Sequence, residues 1–482
     1  MRDILIVLDQ GSSSSRAMAV DAGGNIVAQT RRAIRAQFPA PGMSHYDARE
    51  LLQSQLDALY ELFEKLASSD EPAVLGVAAQ RSTIILWDKK SGEPLCPALS
   101  WQDGRAAGLL SEVKLSHEKT HELTGLYKTP YYSASKIAWC LRNYPDAALA
   151  AKNGTLAIGT VGSYLVWSLT GGEIFAADPT LAQRTMLFDL QSWGWNKELA
   201  ALFDVPENCL PRILATTEDY GVFNSPRGPL PIRVMIGDQQ AAMLGAGVFS
   251  AETAAINYGT GAFFLAATGG KRLSLPGFLN SVSPLPGEYL IEGTVNAASS
   301  MLDWLRQLGI EFDAEDVDEL CLASQNPPRV LCAIGGIGSP YWDYKTSTTF
   351  TGMNLKTCKA DIVRGTLEGI AAMLAVNALA AKRAGAGFTK IMASGGLSNS
   401  DFLLQLQSDL LQMPVERCSV AETTALGAAW LMARDRGLLR QEWGGGTGKI
   451  FSPAIDSKTA AARMENWLKF YDGVKILTEK LS

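Results

Sequence analysis

A carboxylate near the middle of the chain stands where a catalytic base would be expected. The run from Ile232 to Ile236 is apolar enough for a buried strand, Gly237 breaks it, and Asp238 follows directly. A side chain at such a strand end faces a cleft, where its carboxylate can accept a proton from a substrate hydroxyl. Because Asp is also a common helix N-cap, the residue taken alone allows a purely structural role as well.

A glycine-rich turn further along the chain could bind phosphate. Gly259-Thr260-Gly261 lies between two apolar, strand-like runs. Backbone N–H groups flanked by glycines can approach phosphate oxygens without a Cβ in the way, and the Thr260 hydroxyl adds a donor. An ordinary hairpin turn is the alternative interpretation.

The beginning of the chain has the same layout of strand, turn and strand. Ile4 to Leu8 has the pattern of a buried strand, a serine-rich turn follows, and Ala17 to Asp21 resumes the strand pattern. In the turn, Arg16 can neutralise phosphate charge, and Asp9 can hold Mg²⁺ directly or through water. We interpret the two hairpins as a weak internal repeat, which predicts two similar domains. A flexible polar turn is the alternative for the first hairpin.

Further polar clusters follow predicted strands. Val74 to Ala79 ends at the polar run Gln80-Arg81-Ser82-Thr83, and Ile391 to Ser394 opens at Gly395-Gly396 before a helical segment. Such strand ends are where an α/β fold usually places ligand contacts. A long apolar-faced helix is predicted from Ala360 to Arg383. The pattern as a whole predicts an α/β protein.

Length and composition exclude several classes of protein. A chain of 482 residues exceeds one ordinary core, so two domains are expected. The formal net charge of -6 argues against nucleic acid as a partner, because a phosphate backbone calls for a basic surface. The apolar runs fall short of a membrane span and no secretory signal pattern is present, so no membrane span and a cytoplasmic location are expected.

Cysteine and histidine give no sign of a disulfide framework or a zinc site. The seven cysteines are scattered and none belongs to a CxxC pair, which fits reduced and mostly buried thiols. His117 and His121 are four residues apart, but the surrounding segment is rich in Lys and Glu. A solvated helix face is therefore favoured over a metal pair.

Glycine-marked strand ends around a lone carboxylate favour phosphoryl transfer, yet neither a Walker A sequence nor a protein-kinase glycine loop is present. An actin-like ATP cleft remains. Motifs along nearly the whole chain resemble the FGGY family of carbohydrate kinases, and its glycerol kinase branch in particular. The matching stretches are LDQGSSSSRA, AAQRSTIILWDKKSGEPL, SWQDGR, PYYSASKIAW, RTMLFDL, GDQQAAMLGAG, NYGTGAFF, GIGSPYWD, GGLSNSDFLLQLQSDLL and ETTALGAAW.

The resemblance implies a two-domain, actin-like ATPase fold of the ribonuclease H-like or hexokinase type, with a deep interdomain cleft. It places an N-terminal FGGY domain at 1–244, with the substrate site and the first phosphate hairpin. A C-terminal FGGY domain at 245–482 would bind the nucleotide. ATP and Mg²⁺ are the implied cofactors, a small polyol or sugar is the implied partner, and a homodimer is consistent with the family.

The resemblance also assigns roles to individual positions. Asp238 becomes the general base, and Asp9 and Asp238 the metal contacts. The positions implied to bind nucleotide, including its phosphates, are Ser12, Ser13, Ser14, Arg16, Thr260, Ser299, Asp303, Gly396 and Ser400. The positions implied to bind the acceptor substrate are Arg81, Ser82, Trp101, Tyr131, Asp238, Gln239 and Phe263.

The chain departs from the glycerol kinase pattern at four of these positions. Glycerol kinases usually carry Gly, Gln and Asn where this chain has Ser299, Asp303 and Ser400, which affects the adenine side. They also carry Glu directly after the Arg of the QRE motif, and here that residue is Ser82. Loss of a carboxylate that accepts two hydroxyl hydrogen bonds could cost about 1–3 kcal/mol of substrate binding.

The sequence therefore predicts ATP-dependent phosphorylation of a primary hydroxyl, with glycerol as the leading acceptor. The smaller Ser82 leaves open a ketose or a longer polyol such as ribulose, xylulose or erythritol. A catalytically inactive protein that binds nucleotide and sugar is a second hypothesis, which the intact Asp9, Asp238 and Thr260 disfavour. A filament or chaperone of the actin superfamily is disfavoured by the SWQDGR and PYYSASK clusters, which have no role there.

Overall fold

The computed structural model describes residues 2–273, 275–420, 422–439 and 448–481 and shows two compact units. The first unit comprises Met1–Gly245, Ser281–Glu288 and Glu422–Gly444. The second comprises Ala246–Asn280, Tyr289–Ala421 and Gly445–Ser482. The predicted division into 1–244 and 245–482 differs from these units, because it leaves Ser281–Glu288 and Glu422–Gly444 out of the first domain.

Most strands belong to one large sheet in each unit, and short strands form smaller ribbons. The strands are β1 (Arg2–Gln10), β2 (Ser14–Asp21), β3 (Ile26–Ala33), β4 (His45–Tyr46), β5 (Asp70–Ala79), β6 (Ile84–Asp88), β7 (Ala98–Leu99), β8 (Leu156–Thr160), β9 (Ala176–Ala177), β10 (Phe188–Asp189), β11 (Gly194–Trp195), β12 (Arg212–Ile213), β13 (Val222–Ser225), β14 (Gly228–Gly237), β15 (Thr253–Tyr258), β16 (Ala262–Gly269), β17 (Leu279–Val282), β18 (Tyr289–Val295), β19 (Arg329–Leu331), β20 (Thr349–Thr351), β21 (Lys390–Ser394), β22 (Val415–Arg417) and β23 (Ile450–Phe451).

The helices range from single turns to long core helices. They are α1 (Ala48–Lys65), α2 (Ala107–Glu112), α3 (His117–Thr124), α4 (Ser133–Asn143), α5 (Pro145–Lys152), α6 (Val161–Leu169), α7 (Pro179–Ala182), α8 (Lys197–Leu202), α9 (Asp238–Gly245), α10 (Ser299–Gln307), α11 (Val317–Ala323), α12 (Lys359–Arg383), α13 (Asp401–Leu411), α14 (Thr423–Asp435) and α15 (Ser457–Leu481). Short 3₁₀ turns occur at Gln183–Thr185, Glu207–Cys209 and Gly396–Asn399.

The large sheet of the first unit has the strand order β13-β14-β5-β1-β2-β3. β1 and β2 form an antiparallel hairpin in which Asp9 lies opposite Arg16. β5 pairs in parallel with both β1 and β14, so that Gln10 and Gly237 each lie opposite Ala79. Because parallel strands end at the same edge, the residues that follow β1, β5 and β14 are brought together.

The sheet of the second unit repeats this topology. Its strands β18-β16-β15-β21-β22-β23 correspond in order and direction to β3-β2-β1-β5-β14-β13. β15 and β16 form the antiparallel hairpin, with Tyr258 opposite Ala262. β15 and β21 are parallel, with Asn257 opposite Ser394. The internal repeat predicted from the two hairpins is therefore present in the fold.

Helix α12 is the central core helix of the second unit. Its predicted range, Ala360 to Arg383, differs from the observed Lys359–Arg383 by one residue. By length and composition it could cross a membrane, which the sequence prediction of short apolar runs did not anticipate, but 78% of its most apolar stretch is buried inside the protein. A core helix is apolar on all sides for the same reason as a membrane helix, since neither meets water.

The thiols follow the sequence prediction. All seven cysteines are free; six are buried, and Cys358 is exposed. Burial raises the pKa of Cys321 and of Cys418 to about 12, so both remain protonated thiols at neutral pH.

Helix α14 joins the first unit through a close approach to α9. A Cβ added at Gly427 would lie 1.8 Å from the Ala241 carbonyl oxygen, and one at Gly245 would lie 1.8 Å from that of Thr423. Glycine at both positions therefore lets the two backbones touch. On its other side α14 covers the sheet, where Met432 Sδ lies 3.0 Å from the Cβ position of Gly76.

We predict that Gly427→Ala separates α9 from α14 and destabilises the first unit by about 1–3 kcal/mol, because the obstructing atom is backbone and cannot rotate away. Thermal unfolding of wild type and variant measures the effect. Gly108→Ala is the matched control, since a Cβ at Gly108 in α2 meets nothing within 4 Å. That control should be neutral or slightly stabilising. Equal melting of Gly427→Ala and wild type would contradict the close approach.

Candidate functional site

Asp238 is held at the carboxyl end of β14, where it begins α9. The strand end is fixed because Thr180 Oγ1 accepts a hydrogen bond from Gly237 N at 2.7 Å and donates to Asp178 Oδ2 at 2.6 Å. Asp238 Oδ1 in turn accepts from Gln239 N at 2.8 Å. The half-buried carboxylate is thus oriented by backbone contacts.

Arg81 lies beside this carboxylate. Its Nε is 3.5 Å from Asp238 Oδ1, and its side chain is almost buried. A Cβ at Gly237 would come within 3.1 Å of Arg81 Cδ, so the glycine leaves room for the guanidinium stem. Among the residues that the structure describes, no hydrogen-bond donor reaches the buried Gln239 Oε1. Such an oxygen is suited to accept from a ligand hydroxyl.

Asp9, at the end of β1, is a buried carboxylate with an unusual pKa. Burial raises the pKa of Asp9 to about 7; Arg16 lowers it, while the negative charges of Asp238 and Glu422 raise it. Within the described ranges no group of three or more His, Cys, Asp or Glu side chains could hold a metal ion. Two mutually repelling carboxylates could still share a cation whose other ligands come from phosphate and water.

The β1–β2 turn presents hydroxyls at the same edge. Ser12 and Ser13 are exposed, whereas Ser14 is buried and its Oγ accepts from Arg16 Nε at 3.3 Å. Arg16 Nη1 also donates to Glu422 in a short ion pair. The guanidinium is therefore directed from two sides before any ligand binds.

Two aromatic side chains lie next to this turn. The rings of Trp101 and Tyr131 are 5.2 Å apart between centroids, and Tyr131 is 39% exposed. Trp101 Nε1 donates to Ser12 Oγ at 2.9 Å, which joins the aromatic pair to the β1–β2 turn. Trp101 N donates to Thr83 Oγ1 at 3.1 Å, which joins it to the segment after β5.

Ser82 is close to these groups through its backbone. It is 0% exposed, has φ +64°, and its hydroxyl meets no partner in the described part of the chain. Its carbonyl accepts from Ser133 Oγ at 3.1 Å and from Lys136 Nζ at 3.4 Å. The predicted contact between the Ser82 side chain and a substrate stays a prediction.

In the second unit, the Gly259-Thr260-Gly261 turn is supported by the start of α10. Thr260 O accepts from Ala298 N at 2.9 Å and from Ser300 N at 3.2 Å. A Cβ at Gly261 would lie 2.7 Å from Val295 O, so the turn requires glycine there. The Thr260 side chain remains exposed. Phe263, on β16, is half-buried.

The Gly395-Gly396 turn lies beside that hairpin, because β15 and β21 are parallel neighbours. Gly395 has φ +89°, and a Cβ there would lie 2.4 Å from Tyr258 O. A Cβ at Gly396 would meet nothing within 4 Å. The first glycine serves packing and the second faces open space, as a ligand-contacting position must.

At two of the remaining predicted nucleotide positions, the polar side-chain atoms contact residues of the same unit. Ser400 Oγ donates to Asp318 and accepts from Leu403 N at 3.1 Å. Asp303 pairs with Arg306 at 2.7 Å. Ser299 is half-buried at the first residue of α10. Asp318 thus contacts the start of α13, where Ser400 was expected to bind nucleotide.

Three residues of these networks had no role in the sequence prediction. Lys136 and Glu422 lie inside motifs that the resemblance uses, PYYSASKIAW and ETTALGAAW, so the motifs were a signal for them. Asp318 lies in an acidic segment with no motif, and nothing in the sequence indicates its contact with Ser400.

Two domain models of a known protein family match most of the chain. The N-terminal domain model of the FGGY family of carbohydrate kinases matches residues 4–245, and the C-terminal domain model matches residues 254–435. A glycerol kinase of Thermus brockianus is 37% identical over 450 residues, with 90% of each chain covered.

Solved structures agree in the fold. A glycerol kinase of Plasmodium falciparum with ADP has a TM-score of 0.89 at 26% identity and 98% coverage of both chains. A ligand-bound xylulose kinase of Lactobacillus acidophilus has a TM-score of 0.88 at 19% identity and 100% coverage of both, which shows the fold alone. The predicted two-domain, actin-like α/β fold is confirmed. With both domain models matched along most of its length, the chain belongs to the FGGY family of carbohydrate kinases.

Proposed function

We propose that this protein transfers the γ-phosphoryl group of ATP to a primary hydroxyl of a small polyol, with glycerol as the leading acceptor and Asp238 as the general base. The observation that carries the proposal is the arrangement at the strand ends of the first unit, where Arg81 Nε lies 3.5 Å from Asp238 Oδ1. A carboxylate fixed beside a donor-rich side chain can receive a hydroxyl group and its proton together.

In the proposed reaction, a lone pair of the acceptor oxygen attacks the γ-phosphorus in line with the departing ADP oxygen. The hydroxyl proton passes to the Asp238 carboxylate as the new bond forms. Arg81 and the Gln239 amide oxygen bind neighbouring acceptor hydroxyls, and Trp101 covers the carbon skeleton. Phosphate charge is balanced by Arg16 and by the amides and hydroxyls of the β1–β2 turn, including Ser12. Phosphate binding by the Gly259-Thr260-Gly261 turn stays a prediction.

Mg²⁺ fits the donor set. Asp9 is a buried carboxylate to which no described residue donates a hydrogen bond, and its pKa is raised partly by the charge of Asp238. Bound there by Asp9 and Asp238, Mg²⁺ would supply positive charge to the phosphate oxygens.

Glycerol is the leading acceptor because the glycerol kinase of Thermus brockianus resembles this chain over 90% of its length. Ser82, where glycerol kinases carry Glu, favours the alternative of a ketose or a longer polyol. A catalytically inactive binding protein remains the second candidate, and binding of acceptor and ATP without ADP release would support it. A cytoplasmic location and a homodimer stay predictions.

We predict that Asp238→Asn lowers kcat by about 10²- to 10⁴-fold, because the amide cannot take up the hydroxyl proton. ADP release in the presence of glycerol measures turnover, and titration calorimetry measures ATP binding, which should change little. Asp435→Asn is the control, since it removes a partly exposed carboxylate of the same unit that pairs with Arg233. Near-full turnover of Asp238→Asn would remove the assignment of the base.

We predict that Ser82→Glu raises kcat/KM for glycerol relative to xylulose by roughly 5- to 150-fold, since a carboxylate can accept two hydroxyl hydrogen bonds. Acceptor screens of both proteins with glycerol, erythritol, ribulose and xylulose measure the change. Ser82→Gln has the same length without the charge and should gain less. An unchanged order of acceptors in Ser82→Glu would show that selectivity is set elsewhere.

We predict that Asp9→Asn stabilises the metal-free protein at pH 8 by up to about 4 kcal/mol. The folded pKa of Asp9 lies above its ordinary value, at about 7, so the protonated form is favoured by folding. The contribution of protonated Asp9 to the free energy of unfolding is fully present below about pH 4 and is lost as the pH rises through 7. The variant, which cannot ionise, does not lose it.

Thermal unfolding of wild type and Asp9→Asn at pH 5 and pH 8 measures the pH dependence of stability. The same measurement with EDTA or with MgCl₂ shows how much Mg²⁺ stabilises each protein. The advantage of Asp9→Asn should shrink at pH 5, and Mg²⁺ should raise the melting temperature of wild type more than that of the variant. Equal Mg²⁺ shifts in the two proteins would contradict Asp9 as a metal contact.

A further inference from the structure

Lys136, in α4, is a fully buried lysine whose ammonium group is shared among three backbone carbonyls. Its Nζ donates to Ser100 O at 2.7 Å, to Tyr131 O at 2.8 Å and to Ser82 O at 3.4 Å. The side chain is 0% exposed. An ammonium group has three donors and no acceptor, so the three carbonyls match its capacity.

Each of these carbonyls adjoins a position where the acceptor is expected to bind. Ser82 follows Arg81, Ser100 precedes Trp101, and Tyr131 is itself a predicted contact. The three segments are far apart in sequence and meet at one nitrogen atom. This charged group therefore contributes to their separations, and so to the positions of the side chains that they carry.

Burial of the Lys136 charge costs free energy, and filling the space does not require a charged side chain. Burial lowers the pKa of Lys136 to about 7; the negative charge of Asp103 opposes this shift, and the positive charge of Arg105 adds to it. Asp103 is engaged elsewhere, by Arg105 at 2.8 Å and by Ser44 N at 2.6 Å. Among the described residues, no carboxylate lies within ion-pair distance of Nζ. An apolar side chain of similar size would fill the same space without that cost.

Three further hydrogen bonds lie in or between the same segments. Ser133 Oγ donates to Ser82 O at 3.1 Å, and Thr83 Oγ1 accepts from Trp101 N at 3.1 Å while it donates to Gln80 Oε1 at 2.8 Å. The carbonyl of Ser82 thus has two donors, and the segment after β5 is joined to that of Trp101 independently of Lys136. Together these hydrogen bonds fix the positions of the segments relative to one another.

We infer that Lys136 is a positioning residue for the acceptor: its ammonium group fixes the backbone at Ser82, Ser100 and Tyr131, and thereby sets the affinity for the polyol. The inference rests on the proposed function, since it concerns the same site. Lys136 touches neither reactant and acts through the residues beside these carbonyls.

Lys136→Met tests the inference, because methionine keeps an unbranched side chain only one atom shorter than lysine and removes all three hydrogen bonds. We expect the KM for the acceptor to rise at least about tenfold, while the KM for ATP stays within about twofold. A merely structural role would lower the melting temperature and the fraction of active protein, and so the apparent kcat, without changing the acceptor KM.

Thr30→Val is the matched control for lost buried hydrogen bonds. Thr30 is buried in the same unit, and its Oγ1 donates to Ala58 O at 2.6 Å and to Ala17 O at 3.3 Å. This variant should melt at a lower temperature with an unchanged acceptor KM. A rise in acceptor KM equal to that of Lys136→Met would show that general loosening accounts for the effect, and would overturn the inference.

Ser133→Ala provides a second test that does not depend on the folding of Lys136→Met. It removes one of the two donors to Ser82 O with a minimal change of volume, and the acceptor KM should rise about threefold. If the wild type is active and the acceptor KM is unchanged in Lys136→Met and Ser133→Ala, the inference is overturned and the proposed function stands. A wild type that neither binds nor phosphorylates glycerol, erythritol, ribulose or xylulose overturns both.

Discussion

Parallel pairing of β5 with β1 on one side and β14 on the other is the constraint on which the first unit depends. The register sets Gln10 and Gly237 opposite the same residue, Ala79. Three strands therefore end together, and the side chains after them converge without a long loop. Burial raises the pKa of Asp9 to about 7, and the negative charge of Asp238, at the end of β14, adds to that rise.

The second unit has the same topology but exposes different groups at its strand ends. Its hairpin and its Gly395-Gly396 turn expose backbone and a Thr260 hydroxyl, and they bring no carboxylate pair of this kind. One topology thus presents two different sets of side chains, because the residues at the strand ends differ while the strand order is kept. The close contact of Gly395 with Tyr258 O shows how tightly the second set of turns is packed.

Local patterns made much of the fold predictable, including the strand ends at which the candidate site residues lie. The apolar runs before Asp9, Gln80 and Asp238 are strands, and the hairpin repeat follows from matching turn chemistry. Contacts between distant segments were not predictable from such patterns. Arg16 pairs with Glu422 and Ser400 with Asp318, and no periodicity or spacing connects either pair.

The return of α14 to the first unit has a consequence for synthesis of the protein. While the ribosome has produced only the residues up to Gly245, α9 and the β5 region around Gly76 lack the helix that covers them in the finished protein. The apolar strip that Met432 and its neighbours later protect is open to water and to other nascent chains until most of the polypeptide has emerged. Folding of the first unit can thus be completed only after nearly all of the second has been made.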